Sequence, residues 1–459
     1  MSSRPRQMER APRLPPPPAR PFALPRPIRF RLDNALEVVL VRGGHDLPLV
    51  HVSLALRSGH AADGARDPGV AFVTAALVDE GAGRRSALEI TRDLQALGTA
   101  LHISVDADST TLALDVLQGE LEPALEIIAD VVLRPHLAAR ELERVRGELI
   151  SRAEDRRADP SQVAGLALAA AVFGDAPHGR PALPRPAVTA AIRREQVARF
   201  HRDHYRPDNA VLLVAGAVER SALERMVRSR LGRWRPGGRR VSGGARPPAR
   251  GPRLVLVPRR DAAESVLRVG RLLPPRRALD PEAVDLLNTI LGGSFTSRLN
   301  LNLRERHGFT YGAGSSCSLT RGNGLLSVAT QVERGATSPA LREILNELRK
   351  LTRRRVGRAE LAKARSLVLE ELPSSAETLA GLADEYLELA LYREPLSRLN
   401  RLPLRLREVT PEALLALARR LLSPEDATLV VVGDQDRLID ELQRAYGPAQ
   451  LRDVDGNLL

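Results

Sequence analysis

Among the side chains that could do chemistry here, the nine histidines come first, and only His201 and His204 lie close together. In His201-Arg202-Asp203-His204-Tyr205, helical i, i+3 spacing would place two imidazoles on one face, a geometry able to share a metal ion. The same residues also read as the last turn of a helix before Tyr205-Arg206-Pro207, and this structural reading is the expected one. Cys317 sits in a strand-like Ser/Gly stretch without an adjacent base, so no thiolate nucleophile is expected. As the only cysteine it permits neither an intrachain disulfide nor a cysteine-based metal site. There is no Gly-x-Ser-x-Gly elbow and no phosphate-loop motif.

The elements that would position such residues fall into two similar halves. Residues 1–27 form a Pro/Arg-rich leader expected to be disordered. Residues 28–235 read as one domain. Arg29 to Leu40 is strand–turn–strand, Leu47 to Leu56 a strand, and Gly69 to Asp79 a small-residue apolar helix. Ser86 to Leu97 is an amphipathic helix, with Ser86 and Glu89 spaced as a capping box. Ala100 to Val105 and Ser109 to Val116 alternate like paired strands. Helices over Gly119 to Leu133 and Ala138 to Ala158 follow, and Val211 to Val218 is a buried strand. Residues 236–252, almost entirely Gly, Pro and Arg, predict a linker. The order then repeats over 253–447, with 448–459 as a tail; Ala427 to Val432 echoes Val211 to Val214. Strand pairs alternating with helix pairs predict an α+β fold. It comprises two homologous domains, each an antiparallel sheet packed against helices.

Composition narrows the function classes. The chain has 459 residues and a formal charge of +13, nearly all of it Arg, since Lys occurs only at 350 and 363. The arginines are dispersed and interleaved with Asp and Glu, and aromatics are only 3% of the chain, so a basic nucleic-acid stripe with stacking residues is not expected. No apolar run has transmembrane length and no secretory signal is readable, which predicts a cytoplasmic protein with no membrane role.

Several short segments in fixed order resemble the pitrilysin and insulinase-type zinc peptidases, including the processing peptidases. They are Arg57-Ser58-Gly59, Gly69-Val70-Ala71, Glu80-Gly81-Ala82, Phe173-Gly174-Asp175 with Pro177-His178-Gly179, and Tyr205 through Ala210. In active members of that family a helix carries H-x-x-E-H. Two His four residues apart bind one Zn²⁺, the Glu acts as general base, and a Glu on a later helix completes the ligand set. Carried onto this chain, the resemblance puts the first His at Phe72, the Glu at Ala75, the second His at Ala76 and the distal Glu at Arg152. None can ligate a cation. The Arg would oppose a dication at ~4 Å by several kcal/mol.

The second half differs. Leu291-Gly292-Gly293-Ser294-Phe295 running on to Arg304 and Tyr311 resembles the family's C-terminal substrate-binding segment. The resemblance implies that Arg304 and Tyr311 contact the substrate backbone and the tetrahedral intermediate, work suited to a guanidinium and a phenol. The implied protein is a non-catalytic, peptide-binding subunit. It would have no cofactor of its own and would pair with a homologous zinc-bearing chain whose active site it completes on an extended peptide. The alternatives are a peptide-binding or scaffold homodimer without catalysis, and a stand-alone metalloendopeptidase.

Overall fold

Two six-stranded sheets organise the chain in a computed structural model that describes residues 23–43, 47–64, 67–238 and 251–459. Most of the leader and of the 236–252 linker therefore lies outside the described residues, as does His45. The first sheet comprises β1 (Ile28–Arg31), β2 (Glu37–Val41), β3 (Leu49–Leu56), β4 (His102–Val105), β5 (Thr110–Leu117) and β6 (Ala210–Gly216), in the order β1-β2-β6-β3-β5-β4. The second comprises β7 (Leu254–Pro258), β8 (Glu264–Pro275), β9 (Ala313–Ser318), β10 (Asn323–Glu333), β11 (Thr428–Gly433) and β12 (Ala449–Leu451), in the order β12-β7-β11-β8-β10-β9. The five strands from β2 to β4 in the first sheet match those from β7 to β9 in the second one for one, as a duplicated α+β unit requires.

Both sheets are mixed rather than wholly antiparallel. β2 runs parallel to β6, and β7 runs parallel to both β11 and β12; the remaining pairs are antiparallel. The tail residues Ala449–Leu451 thus belong to the second sheet. The β2–β6 and β7–β11 parallel pairs lie inside the sheets and explain the unbroken apolar runs EVVLV, VLLVAG and LVVVG, because both faces of these strands are covered. In β2, Val38 and Leu40 enter the main core of the first domain, whereas Val39 and Val41 face the opposite side.

What covers those opposite faces is exchanged between the halves. The Pro160–Phe173 helix, encoded in the first half, lies on the second sheet. There Val163, Leu168 and Val172 meet Val255, Val266 and Val430. The Leu379–Leu391 helix of the second half lies on the first sheet, bringing Leu382, Tyr386 and Ala390 against Val39, Val211 and Leu213. A Cβ at Gly270 would stand 2.6 Å from Leu168 Cδ1, so the lack of a side chain lets the helix approach the sheet. Polar contacts reinforce the exchange. Tyr386 donates to Pro25 O at 2.6 Å, and Tyr392 donates to Asp108 Oδ2 at 3.0 Å, an oxygen that also accepts from the Arg321 amide at 2.6 Å. Among the described residues, no helix is long and apolar enough to cross a membrane.

Candidate functional site

The segment from Gly69 to Ala76 is a helix, but a short one, Val70–Ala75, and not the longer span to Asp79 that its apolar composition predicts. It begins at Gly69, whose φ of +80° and 2.5 Å approach to Pro184 Cβ leave no room for a side chain. Asp63 supplies the missing cap, accepting from the Gly69 amide at 2.6 Å and the Ala71 amide at 2.9 Å. Burial pushes this carboxyl up to about 7, although the two amide bonds pull the other way.

This helix packs as core. Ala75 is buried, and Phe72 and Ala76 are half-buried against the same hydrophobic cluster as Val70, Val73 and Leu77. The Ala139–Ala158 helix turns Leu142, Val145, Leu149, Ala153 and Arg156 inward and leaves Arg152 and Glu154 exposed. Glu148, one turn before Arg152, accepts from Arg144 Nη1 at 2.6 Å, and the same guanidinium also reaches Glu80 and Glu141. The neighbouring carboxylates are thus either occupied by Arg144 or turned to solvent. Two alanines and a phenylalanine offer no donor atoms, and Arg152 brings a cation, so these residues do not fit a zinc ion. Among the described residues, no three His, Cys, Asp or Glu side chains converge to hold a metal elsewhere.

His201 and His204 end the Arg194–His204 helix, as expected for a structural pair. They do not share a ligand. His201 Nε2 donates to Val132 O at 2.9 Å and its ring stacks on Tyr205, whereas His204 stacks on Phe200. Burial pushes His201 down to about 4. A base whose folded value lies below its unfolded value adds stability above about 6.5, and loses it as pH falls toward 4. Buried carboxyls such as Asp63, raised to about 7, act in the opposite sense over that window, so the His201 contribution is read as a drop in thermal midpoint relative to a variant that cannot titrate there. His201→Gln, which keeps a donor toward Val132 but cannot titrate, is that variant; an unchanged pH profile in it would contradict the assignment.

Arg304 and Tyr311 present the opposite picture. The chain from Asn300 to Arg306 forms a π-helical turn, and Tyr311 lies in the following loop just before β9. Tyr311 is 99% exposed. Phe295, 68% exposed, lies under the Arg304 guanidinium at 4.5 Å from ring centroid to Cζ, a cation–π contact that holds the arginine in place. Leu301 is exposed nearby in sequence. The only carboxylate within ion-pair reach of Arg304 among the described residues is its neighbour Glu305, at 3.4 Å. Sequence reasoning singled out Arg304 and Tyr311 but not Phe295. The available signal was an aromatic residue following Gly-Gly-Ser in a chain poor in aromatics. The Val70–Ala75 helix belongs to the first domain and the Arg304 segment to the second, so the two predicted site halves rest on different scaffolds.

Comparison with known proteins gives this arrangement a context. A family model described as insulinase (peptidase family M16) matches residues 38–184, and one described as the peptidase M16 inactive domain matches residues 191–368. The chain is 30% identical over 417 residues to an uncharacterized zinc protease of Mycobacterium tuberculosis, covering 88% of this chain and 93% of that one. It is 25% identical over 382 residues to an uncharacterized zinc protease of Streptomyces coelicolor, with coverage of 80% and 82%. Among solved structures, the peptidase M16 inactive domain from Pseudomonas fluorescens aligns with a TM-score of 0.82 at 24% identity, covering 89% of this chain and 98% of that chain. A protease from Helicobacter pylori aligns with a TM-score of 0.80 at 19% identity, covering 89% and 100%.

Proposed function

The chain belongs to the M16 (insulinase) peptidase family, and from that premise we propose that it is a non-catalytic subunit that binds extended peptides beside a homologous zinc-bearing chain. In this reading the degenerate helix at Phe72, Ala75 and Ala76 is filler, with Arg152 replacing the distal ligand. The zinc and the general base come from the partner. Arg304 and Tyr311 supply charge and a hydroxyl to the peptide carbonyl as it becomes an oxyanion.

The observation that supports this most is the exposure of two aromatics in this segment, Tyr311 and Phe295, the latter stacked on Arg304. Large aromatic side chains left almost wholly in water gain nothing for their own fold, and they are the residue types that anchor contacts with a second molecule. The Arg–Phe stack also pre-orients the guanidinium at little entropic cost. A scaffold homodimer would use the same face without hydrolysis.

The deciding experiment mixes the purified chain with a homologue carrying intact H-x-x-E-H. A single co-eluting complex that hydrolyses peptides faster than the homologue alone is expected. No complex and no gain in hydrolysis would refute the proposal, and a stable self-dimer in its place would favour the scaffold.

A further inference from the structure

Several largely buried arginines meet a carboxylate: Arg57 meets Glu37, Arg276 meets Glu394, and Arg398 meets Glu282. Others have only carbonyl acceptors, such as Arg253 and Arg268, and one group of these lines a cavity. A cavity of about 460 Å³ lies between the two halves, walled by the Pro160–Phe173 helix, the loop from Gly174 to Val188 and the C-terminal turn from Arg452 to Leu458. Three arginines line it: Arg180, Arg185 and Arg452. Among the described residues none of the three has a carboxylate within 4 Å. Their hydrogen-bond acceptors are neutral oxygens. Arg180 Nη1 donates to Gly64 O at 3.3 Å, Arg185 Nη1 to Asn457 Oδ1 at 2.6 Å, and Arg452 Nη1 to Gly456 O at 2.5 Å.

A fourth arginine stands behind them. Arg156 is 8% exposed, and its Nη1 donates to Leu183 O at 2.7 Å. Its Nε and Nη2 are buried without an acceptor, as is Arg185 Nε. Three buried guanidinium nitrogens without acceptors are costly unless something accepts from their N–H groups. Arg185 is near enough to repel both Arg156 and Arg452, and burial lowers the proton affinity of both. Asp455 beside Arg156, and Asp453 beside Arg185 and Arg452, offset part of this charge but are themselves held by other donors. Asp455 is held by Arg157 Nε at 2.9 Å, and Asp453 accepts from the Asp455 and Asn457 amides at 2.9 and 2.8 Å and from Asn457 Nδ2 at 2.8 Å. Asp175 is the one acidic residue in the cavity wall.

We infer that this interdomain cavity binds a small oxyanion carrying two or more charges. Guanidinium groups favour phosphate and carboxylate oxygens through paired, charge-assisted bonds. The volume admits more than a single phosphate, and Ala170, Pro184 and Leu458 give it an apolar side for the body of such a molecule. An anion there would add to the Arg157–Asp455 pair that already ties the C-terminal turn to the first domain, by engaging Arg185 and Arg452, whose hydrogen-bond acceptors are neutral.

The test uses the full chain at constant ionic strength, titrated calorimetrically with diphosphate and, separately, with citrate. Saturable binding of either is expected, and the tighter of the two identifies a phosphoanhydride or a polycarboxylate as the source. Arg185→Gln and Arg452→Gln keep a donor for their carbonyl partners but drop the charge. Each should weaken binding about 10- to 100-fold while leaving the ligand-free thermal midpoint equal or higher, since one of several mutually repelling cations is gone. Absence of binding by both anions, or equal affinity in both variants, would overturn the inference. As an independent check on unaltered protein, saturation with the tighter-binding of the two anions should raise the thermal midpoint by about 2–4 °C; a midpoint unmoved by both anions at matched ionic strength would overturn it as well.

Discussion

In a complex with a zinc-bearing homologue, Arg304→Ala is expected to lower kcat/KM for peptide hydrolysis by about 10²–10³-fold, and Tyr311→Phe by about 10-fold or more. The size follows from where the groups act. A donor aimed at a developing oxyanion works in a water-excluded site, where its loss is felt in kcat, whereas a residue that merely holds the peptide would raise KM and leave kcat alone. Because both groups would serve one oxyanion, the double variant should lose less than the product of the single losses. The isolated chain supplies the control. Tyr311 is 99% exposed and Arg304 touches only Phe295 and Glu305, so neither substitution should move its thermal midpoint by more than a degree or so. Wild-type turnover in both variants would remove Arg304 and Tyr311 from the site and leave the scaffold reading.

Which parts of this molecule are legible in its sequence depends on periodicity and on spacing. The capping box at Ser86 and Glu89 is present as read, with Glu89 Oε2 accepting from the Ser86 amide at 2.8 Å. Asp280 caps the helix that starts at Pro281, again as the sequence predicts. The duplication is visible because the strands of the two halves are apolar at equivalent places. The exchanged helices are not legible in that way. Pro160–Phe173 is mostly Ala, Leu and Val on every side, so no stripe betrays the face it turns to the other domain's sheet. Its partner Leu379–Leu391 carries Asp384, Glu385 and Glu388 between its apolar residues, and nothing local says which sheet it will cover. The parallel pairing of β2 with β6 is equally hidden, since their residues are more than 160 positions apart. At the site, the missing donors at Phe72, Ala75 and Ala76 are plain in the sequence, because chemistry is a property of residue type. That Tyr311 would stand in water and that Phe295 would carry Arg304 are properties of the fold around a π-helical turn. The arginine-lined cavity was invisible for the same reason: Arg156, Arg185 and Arg452 are unremarkable until three distant segments meet.

One buried ion pair fastens the exchanged Leu379–Leu391 helix to the first sheet, alongside its apolar contacts, and Glu37→Gln is expected to destabilise the protein by about 3–5 kcal/mol. Glu37 lies in β2 and is 3% exposed; Arg57, just after β3, is 6% exposed. Glu37 Oε2 accepts from Arg57 Nη2 at 2.9 Å, and Arg29 Nη2 stands 2.8 Å from the other oxygen. Arg57 does more than neutralise an acid. Its Nη2 also reaches Ala390 O at 3.0 Å, its Nε Leu391 O at 3.3 Å and its Nη1 Ala210 O at 3.3 Å, while its own carbonyl accepts from Arg321 Nη1 at 2.8 Å. Ala390 and Leu391 are the last residues of the exchanged helix; Ala390 O already accepts from the Arg393 amide at 3.1 Å, so the guanidinium adds a second donor there, reaches Leu391 O as well, and fastens the helix end to the first sheet. Burial lowers the proton affinity of Arg57, and Glu37 is the largest influence restoring it. Removing the carboxylate charge therefore leaves a buried cation with only carbonyl dipoles to face. Arg57→Met/Glu37→Leu removes both charges, so it escapes that penalty but abandons three carbonyls. It should lie above Glu37→Gln and below the wild type in denaturant midpoint. The same midpoint for Glu37→Gln and the wild type would show that the seam is held by the apolar contacts of Tyr386 and Leu382 alone. A double variant weaker than either single would show instead that the carbonyl contacts outweigh the charge.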